Sequence, residues 1–207
     1  MDEVYNRSVE MKKDTEDLIE KIKEDLRRMM SEHRFNHSVS VMNKAVELAE
    51  VYGENVDEAA LAGLTHDIAK EIPDEEAFRI ADENGIKLDE IEKINTKLLH
   101  GKIGAFVARE KYGFNERILN AIRLHTLTAP DMDMLAKIVF VADKIEDTRK
   151  SDKIDIDEQR NLASFDIDGA VIMIIDNTIK KLVDKGKLIH PDEILTRNEL
   201  IRRREEK

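Results

Sequence analysis

The sequence predicts an all-α fold: one helical bundle with an extra helix at its N-terminus. Three observations carry this. Apolar residues recur at helical spacing through most of the 207 residues. Turn formers and aromatics are scarce, with 8 Gly, 3 Pro and no Trp, whereas an all-β chain needs more of both. Charged residues make up 38% of the chain beside 41% apolar, a balance that suits long helices with one solvated face.

Each element has its own signal. Leu18, Ile22, Leu26 and Met29 form the first stripe. "HSVSVMNKAVELAEVYG" puts His37, Val41, Ala45 and Leu48 on one face, with Gly53 as its stop. Asp57 is the expected cap of the next helix, "EAALAGLTHDIAK", and Pro73 follows its end. "DEEAFRIADENG" is a short amphipathic helix closed by Gly85, and "GKIGAFVAREKYG" another closed by Gly113. "NERILNAIRLHT" aligns Ile118, Ala121, Ile122 and His125. From about Pro130 to Arg149, one sector holds Leu135, Val139, Ala142 and Asp143. The last long helix runs from about Phe165 to Lys185 and stops at Gly186. Its "VIMII" alone suits a buried strand, but the flanking apolar spacing continues at helical period. "RNELIRRREEK" reads as a charged, fraying tail. The expected organisation is a helical extension over 1–19, one domain over 20–198 and a tail over 199–207.

Charge and composition narrow the function. The net charge of −11 argues against broad binding to nucleic acid, which needs a basic footprint. It leaves room for an anionic small molecule drawn to a local cationic centre. With no Cys, any metal must be held by His, Asp and Glu, a harder ligand set, and Cys nucleophilic catalysis is out. The N-terminus has no signal-peptide apolar core, and no run approaches the ~18 apolar residues of a membrane span. The expectation is a cytoplasmic protein with no membrane or nucleic-acid partner.

"GLTHDIAK" poses the functional question, because an apolar helix places His66 and Asp67 in the middle of the protein. A buried carboxylate needs a partner or a metal. Taken singly, a His on an apolar face is more often a satisfied core residue. Here four of the six His, namely His37, His66, His100 and His125, fall with Asp67 and Asp143 where apolar faces converge. Helical bundles build metal sites in this way, from side chains on facing helices. On one helix His66 and Asp67 would stand about 100° apart and reach one ion from adjacent directions. The local rival is the pair His33 and His37, one turn apart, while His190 precedes Pro191 and reads as a turn residue.

"HRFNH", "HD" followed by "AK", "LLHG", "LHT" and "ADKIEDTR" occur in this order. Together they resemble the HD-domain metal phosphohydrolases, and within them the YqeK-type symmetrical diadenosine tetraphosphate hydrolases. The resemblance covers roughly residues 20–198. It implies an HD-domain helical bundle with a binuclear, usually iron-containing centre, in which manganese or another divalent ion can substitute. The first metal would take His37, His66, Asp67 and Asp143; the second would take His100 and His125, with Asp67 bridging. Two positions depart from the family pattern. Leu127 and Thr128 follow "HT" where the family usually has "TG", and Asp147 stands where Pro is common. Both bear on substrate fit rather than on the ligands.

A pair of metals can lower the pKa of bound water and clamp phosphoryl oxygens. Asp67 and Lys70 are the candidate catalytic residues, and Arg34, Lys70, Lys102 and Arg149 the candidate phosphate clamps, each beside a motif residue. Glu146, three residues after Asp143, is placed to orient a ligand or Arg149. No triad supports a serine or threonine nucleophile. The expected activity is symmetrical hydrolysis of diadenosine tetraphosphate to two ADP, by a chain that can form a homodimer. The alternatives are an HD phosphohydrolase acting on a nucleoside monophosphate or guanosine alarmone, and a catalytically silent metal-binding regulatory domain.

Overall fold

The computed structural model describes residues 11–150 and 154–206. Among these residues there are eleven α-helices, one short 3-10 turn and no strand. The first ten residues of the expected extension lie outside them, as does Lys207.

Helix α1 (Lys13–Met29) buries Ile19, Ile22 and Leu26 in the main core, so the expected boundary at residue 19/20 falls inside a single packed helix. Helix α2 (Glu32–Tyr52) starts at the Ser31 cap and ends at Gly53, whose φ of 65° is the left-handed conformation that closes helices. Helix α3 (Val56–Thr65) crosses α2 very closely. A Cβ at Gly63 would meet Met42 Cα at 3.0 Å and the Val41 carbonyl oxygen at 3.1 Å. The cap of α3 is Asn55 rather than Asp57: the Asn55 side chain accepts from the Asp57 and Glu58 amides, while Asp57 receives the Lys12 amide.

Helices α4 (Asp74–Glu83) and α5 (Glu90–Ile94) cover α6 (His100–Tyr112), which pairs with α7 (Glu116–Leu124). Helix α8 (Met134–Ile145), capped by Asp133, is the axis of the domain. Ten of its twelve residues are buried, and it packs on α2, α3, α7, α9 (Ile156–Ala163) and α10 (Ile167–Asp184). "VIMII" lies within α10 and is helical as expected.

The C-terminal tail is a correction. Residues 199–205 continue α11 (Pro191–Glu205), which buries Leu200 and ties Arg197 to Asp176 and Arg204 to Asp166. His190 is likewise more than a turn residue, since it is the N-cap of α11 and its Nδ1 accepts the Asp192 amide. No helix among the described residues is long and apolar enough to cross a membrane.

Candidate metal centre

Six side chains meet where α2, α8 and the ends of α3, α6 and α7 converge. His37 comes from α2, Asp143 from α8, His100 from the first position of α6, and His125 from just beyond α7. His66 and Asp67 are not on a continuing helix as the sequence suggested. α3 stops at Thr65, and three-residue turns follow through Ile72. The cause is local. His66 Nδ1 donates to the Gly63 carbonyl at 2.7 Å, the oxygen that a continuing helix would offer to the Asp67 amide.

The same closure recurs at two other histidines. His100 Nδ1 lies 2.7 Å from the Lys97 carbonyl, and His125 Nδ1 2.6 Å from the Ile122 carbonyl. A carbonyl oxygen only accepts, so each Nδ1 carries the hydrogen and each Nε2 presents a lone pair. These lone pairs point at one another and at Asp67. His100 Nε2 and His125 Nε2 are 3.0 Å apart and lie 3.2 Å and 3.3 Å from Asp67 Oδ1. Asp67 Oδ2 faces the other way, 3.4 Å from His66 Nε2 and 3.8 Å from His37 Nε2. Asp143 Oδ1 completes that half, 3.0 Å from His37 Nε2 and 3.7 Å from His66 Nε2. One carboxylate thus divides its two oxygens between two groups of ligands.

The donor set fits a pair of cations. His66 Nε2 and Asp67 Oδ1 are buried with no hydrogen-bond partner, as is the Nε of Arg34 beside them. An unpaired buried polar atom costs about 1–3 kcal/mol, and acceptor facing acceptor is what a cation relieves. His37, His66 and Asp143 form one cluster of metal-holding geometry, and His66, Asp67 and His125 another; His66 belongs to both. His100 extends the second through its contacts with His125 and Asp67.

Electrostatics agree with this arrangement. Burial pushes the Asp67 carboxyl up, but His66, His100 and His125 together hold it well below the usual carboxylate range. Burial likewise opposes ionisation of Asp143, and Lys144, His37 and His66 overcome it. Burial lowers His125 to about 3, with His100 and His66 adding to the effect, and burial also lowers His100. Both rings are therefore neutral ligands at ordinary pH. His66 is raised, because Asp67 and Asp143 outweigh its burial.

Around the ligands sit the bases. Arg34 reaches Asp67 Oδ2 at 2.6 Å, and Arg149 reaches Asp143 Oδ1 at 3.0 Å. Lys70 Nζ lies 3.0 Å from His100 Nε2 and 3.8 Å from Asp67 Oδ1. A cleft of about 510 Å³ opens beside His37, lined by Arg34, Arg149, His33, Asn36, Thr148 and Lys150 among others. His33 is an exposed residue of this cleft, and the described residues do not bring it into the ligand clusters. Glu146, only 1% exposed, accepts from the Thr148 amide and hydroxyl and stands 3.4 Å from His37 Nδ1, the place of a ligand-orienting carboxylate.

Lys102 is engaged elsewhere. Its ammonium is held by Glu92 at 2.7 Å and by the Lys87 carbonyl at 3.0 Å. Asn36, Lys150 and Thr126 were missed by the sequence reading. Only their nearness to the "HRFNH", "ADKIEDTR" and "LHT" motifs could have signalled them.

Comparison with known proteins gives the same picture. Residues 34–148 match the HD domain family. The symmetrical bis(5'-nucleosyl)-tetraphosphatase of Bacillus subtilis is 38% identical over 177 residues, covering 85% of this chain and 94% of that one. Its counterpart in Halalkalibacterium halodurans is 37% identical over 173 residues, covering 83% and 91%. A crystal structure from Clostridium acetobutylicum, described as a predicted HD superfamily hydrolase involved in NAD metabolism, superposes with a TM-score of 0.86 at 40% identity, covering 89% of this chain and 97% of that one. The chain belongs to the HD domain family, together with these symmetrical bis(5'-nucleosyl)-tetraphosphatases.

Proposed function

We propose that this chain is a metal-dependent phosphoanhydride hydrolase that cuts diadenosine tetraphosphate between its middle phosphates to give two ADP. The observation that carries the reading is Asp67, whose two oxygens each face a separate pair of histidines beside a base-lined cleft. It is supported by the named relatives.

The two metals would be held by His37, His66, Asp67 and Asp143 on one side and by Asp67, His100 and His125 on the other. Such a pair polarises phosphoryl oxygens and lowers the pKa of the attacking water. Iron is the proposed resident ion, with manganese or another divalent ion able to substitute; the Cys-free N/O ligand set supports this. Arg34 and Arg149 have the planar fork that pairs with phosphate oxygens, and Lys70 adds a point charge beside Asp67 and His100. Glu146 fixes His37 through Nδ1. The cleft beside His37 receives one nucleoside with its diphosphate. Water adds to the phosphorus at the middle anhydride, the P–O–P bond breaks, and the other nucleoside diphosphate leaves.

The test is hydrolysis of a small nucleotide panel by metal-supplemented protein, with products separated at an early time point. The panel holds the dinucleotide, a monophosphate, a guanosine alarmone and NAD. ADP alone from the dinucleotide is expected. Equal ATP and AMP rejects symmetrical cleavage. Rapid turnover of a monophosphate or alarmone with none of the dinucleotide favours the other HD phosphohydrolase reading.

A further inference from the structure

The segment that leaves α8 carries two side chains of the site, and it is held from outside. Glu146 stands behind His37, and Arg149 reaches Asp143 Oδ1 from the wall of the cleft. The chain departs from helical geometry at Glu146, with φ −52° and ψ 158°, so the last carbonyls of α8 need partners from elsewhere. Two arginines supply them. Arg149 Nε donates to the Asp143 carbonyl at 3.1 Å. Arg160, on α9, reaches further along the segment. Its Nε donates to the Ile145 carbonyl at 2.9 Å, and its Nη2 to the Glu146 carbonyl at 2.8 Å and the Arg149 carbonyl at 3.3 Å. Its Nη1 is held by Asp157 of the same helix at 2.9 Å. One rigid fork thus grips the backbone of 145–149 at both ends. A tie from α2 is weaker: Lys44 reaches Asp147 at 3.2 Å, but the Asp147 side chain is 80% exposed, and exposed pairs contribute about 0–1 kcal/mol.

We propose that Arg160 is a positioning residue: by pinning the backbone of 145–149 to α9, it sets the Arg149 guanidinium at the angle that grips phosphoryl oxygens. The proposal rests on the phosphoanhydride-hydrolase reading, in which Arg149 is a phosphate clamp. Arg149 needs such a hold. Its side chain is 42% exposed, so packing alone does not fix its rotamers. Its amide donates to the Glu146 carbonyl at 2.9 Å, the same oxygen that Arg160 grips. The hold of Arg160 on the segment passes through backbone carbonyls, so it acts on where Arg149 starts and not on its charge. Without it the segment is free to turn about Glu146, and ordering the long Arg149 side chain is then charged against each binding event. A fork set in advance spends less binding energy on ordering and keeps it for the phosphate.

The test is a double-mutant cycle on manganese-loaded protein. It combines Arg160→Met, which keeps the stem and deletes the donors, with Arg149→Ala. Metal per chain, thermal unfolding, binding of inorganic phosphate and of ADP by calorimetry, and kcat and KM for the dinucleotide are read. Arg160→Met is expected to keep its metal content, to bind both anions more weakly, and to lose up to about a hundredfold in kcat/KM, the scale of a misplacement near 1 Å. With Arg149 already replaced, Arg160→Met should cost almost nothing further. Arg160→Lys, which lacks the fork but keeps a donor, should fall between the two, and it carries the same cycle if Arg160→Met does not fold. An equal loss in both backgrounds overturns the proposal, because Arg160 then acts other than through Arg149. A lower unfolding temperature with unchanged anion binding and kcat/KM overturns it by making Arg160 only a tie between α8 and α9. Loss of a metal ion overturns it by moving the effect to Glu146 and His37. If the unaltered protein turns over no dinucleotide, the functional reading has failed, and the cycle in phosphate and ADP binding still decides Arg160. Binding of neither anion overturns the proposal, since there is then no clamp to set.

Discussion

Two groups of His, carboxylate and Lys side chains lie in this molecule, and they differ in where their hydrogens point. At the junction of α5, α6 and α11, the hydrogen bonds of His190, Asp89 and Glu92 pair a donor with each acceptor, although the Thr128 hydroxyl there is buried without a partner. His190 Nδ1 accepts the Asp192 amide and Nε2 donates to Asp89 at 2.7 Å. Asp89 also accepts the Ile91 and Glu92 amides, and Glu92 receives the Asp89 amide and Lys102. Glu193 accepts the Thr128 amide. At the metal centre three histidines hold the opposite tautomer, with Nδ1 donating outward to backbone and the Nε2 lone pair turned inward. The two places differ in burial as well, since Asp89 is exposed while all six side chains of the metal centre are buried. The direction of the ring hydrogen separates a structural cluster from one built for cations.

Breaking this contrast at its strongest point is expected to have the largest effect. Asp67→Ala removes the shared carboxylate, so both metals should be lost and kcat/KM should fall by about a thousandfold or more. Elemental analysis beside steady-state kinetics checks both. Retention of two metals per chain would show that another group bridges them.

Gly101→Ala tests the spacing instead of a ligand. Its Cβ must displace backbone at Arg123, which moves His100 away from His125. A displacement near 1 Å costs about a hundredfold in rate, and metal content should drop toward one ion per chain. Full metal content and full activity would mean that α6 adjusts freely.

Acid should act on the metal centre in the chelated protein. His125 is lowered to about 3 from an ordinary value of 6.5, so between these values the unfolded chain binds a proton that the folded chain does not. Stability then falls as pH drops through that window. His100 adds the same sign, and His66, which is raised, takes the opposite one. The net is of the order of one proton, about 1.4 kcal/mol per pH unit. Thermal unfolding in chelator should therefore occur at lower temperature at pH 5 than at pH 7, and bound metal should narrow the difference. A flat profile would place the rings in contact with solvent.

His190→Ala completes the contrast from the satisfied side. Metal content and turnover should stay unchanged, while loss of a helix cap, about 1 kcal/mol, lowers the unfolding temperature by about 2–4 °C. A fall in activity comparable to that of Asp67→Ala would put His190 in the site and dissolve the distinction.

All six residues singled out from the sequence as ligands come together, because ligand type and motif order are properties of the chain itself. What the sequence hid was mostly direction. Lys102 sits two positions after His100, about 200° round the helix, so nearness in sequence put it on another face, against Glu92. The helical spacing of "EAALAGLTHDIAK" gave no sign that the His66 ring would take the Gly63 carbonyl and end the helix. Helix α11 was hidden by its own charges. Its hold on the molecule comes from Leu200 and from pairs to Asp176 and Asp166 on or beside α10, partners that no local pattern reveals. Asn55 and Asp57 are both capable caps, and only the observed hydrogen bonds choose between them.

The three-residue closures at His66, His100 and His125 make the centre modular. Each arm is aimed by a carbonyl of its own segment, so an error in one arm does not propagate to the others. Such a centre degrades stepwise. Deleting a single arm leaves the remaining arms at their angles, and for the proposed two-ion centre the expected intermediate on the way to the ion-free chain is one that still grips a single ion.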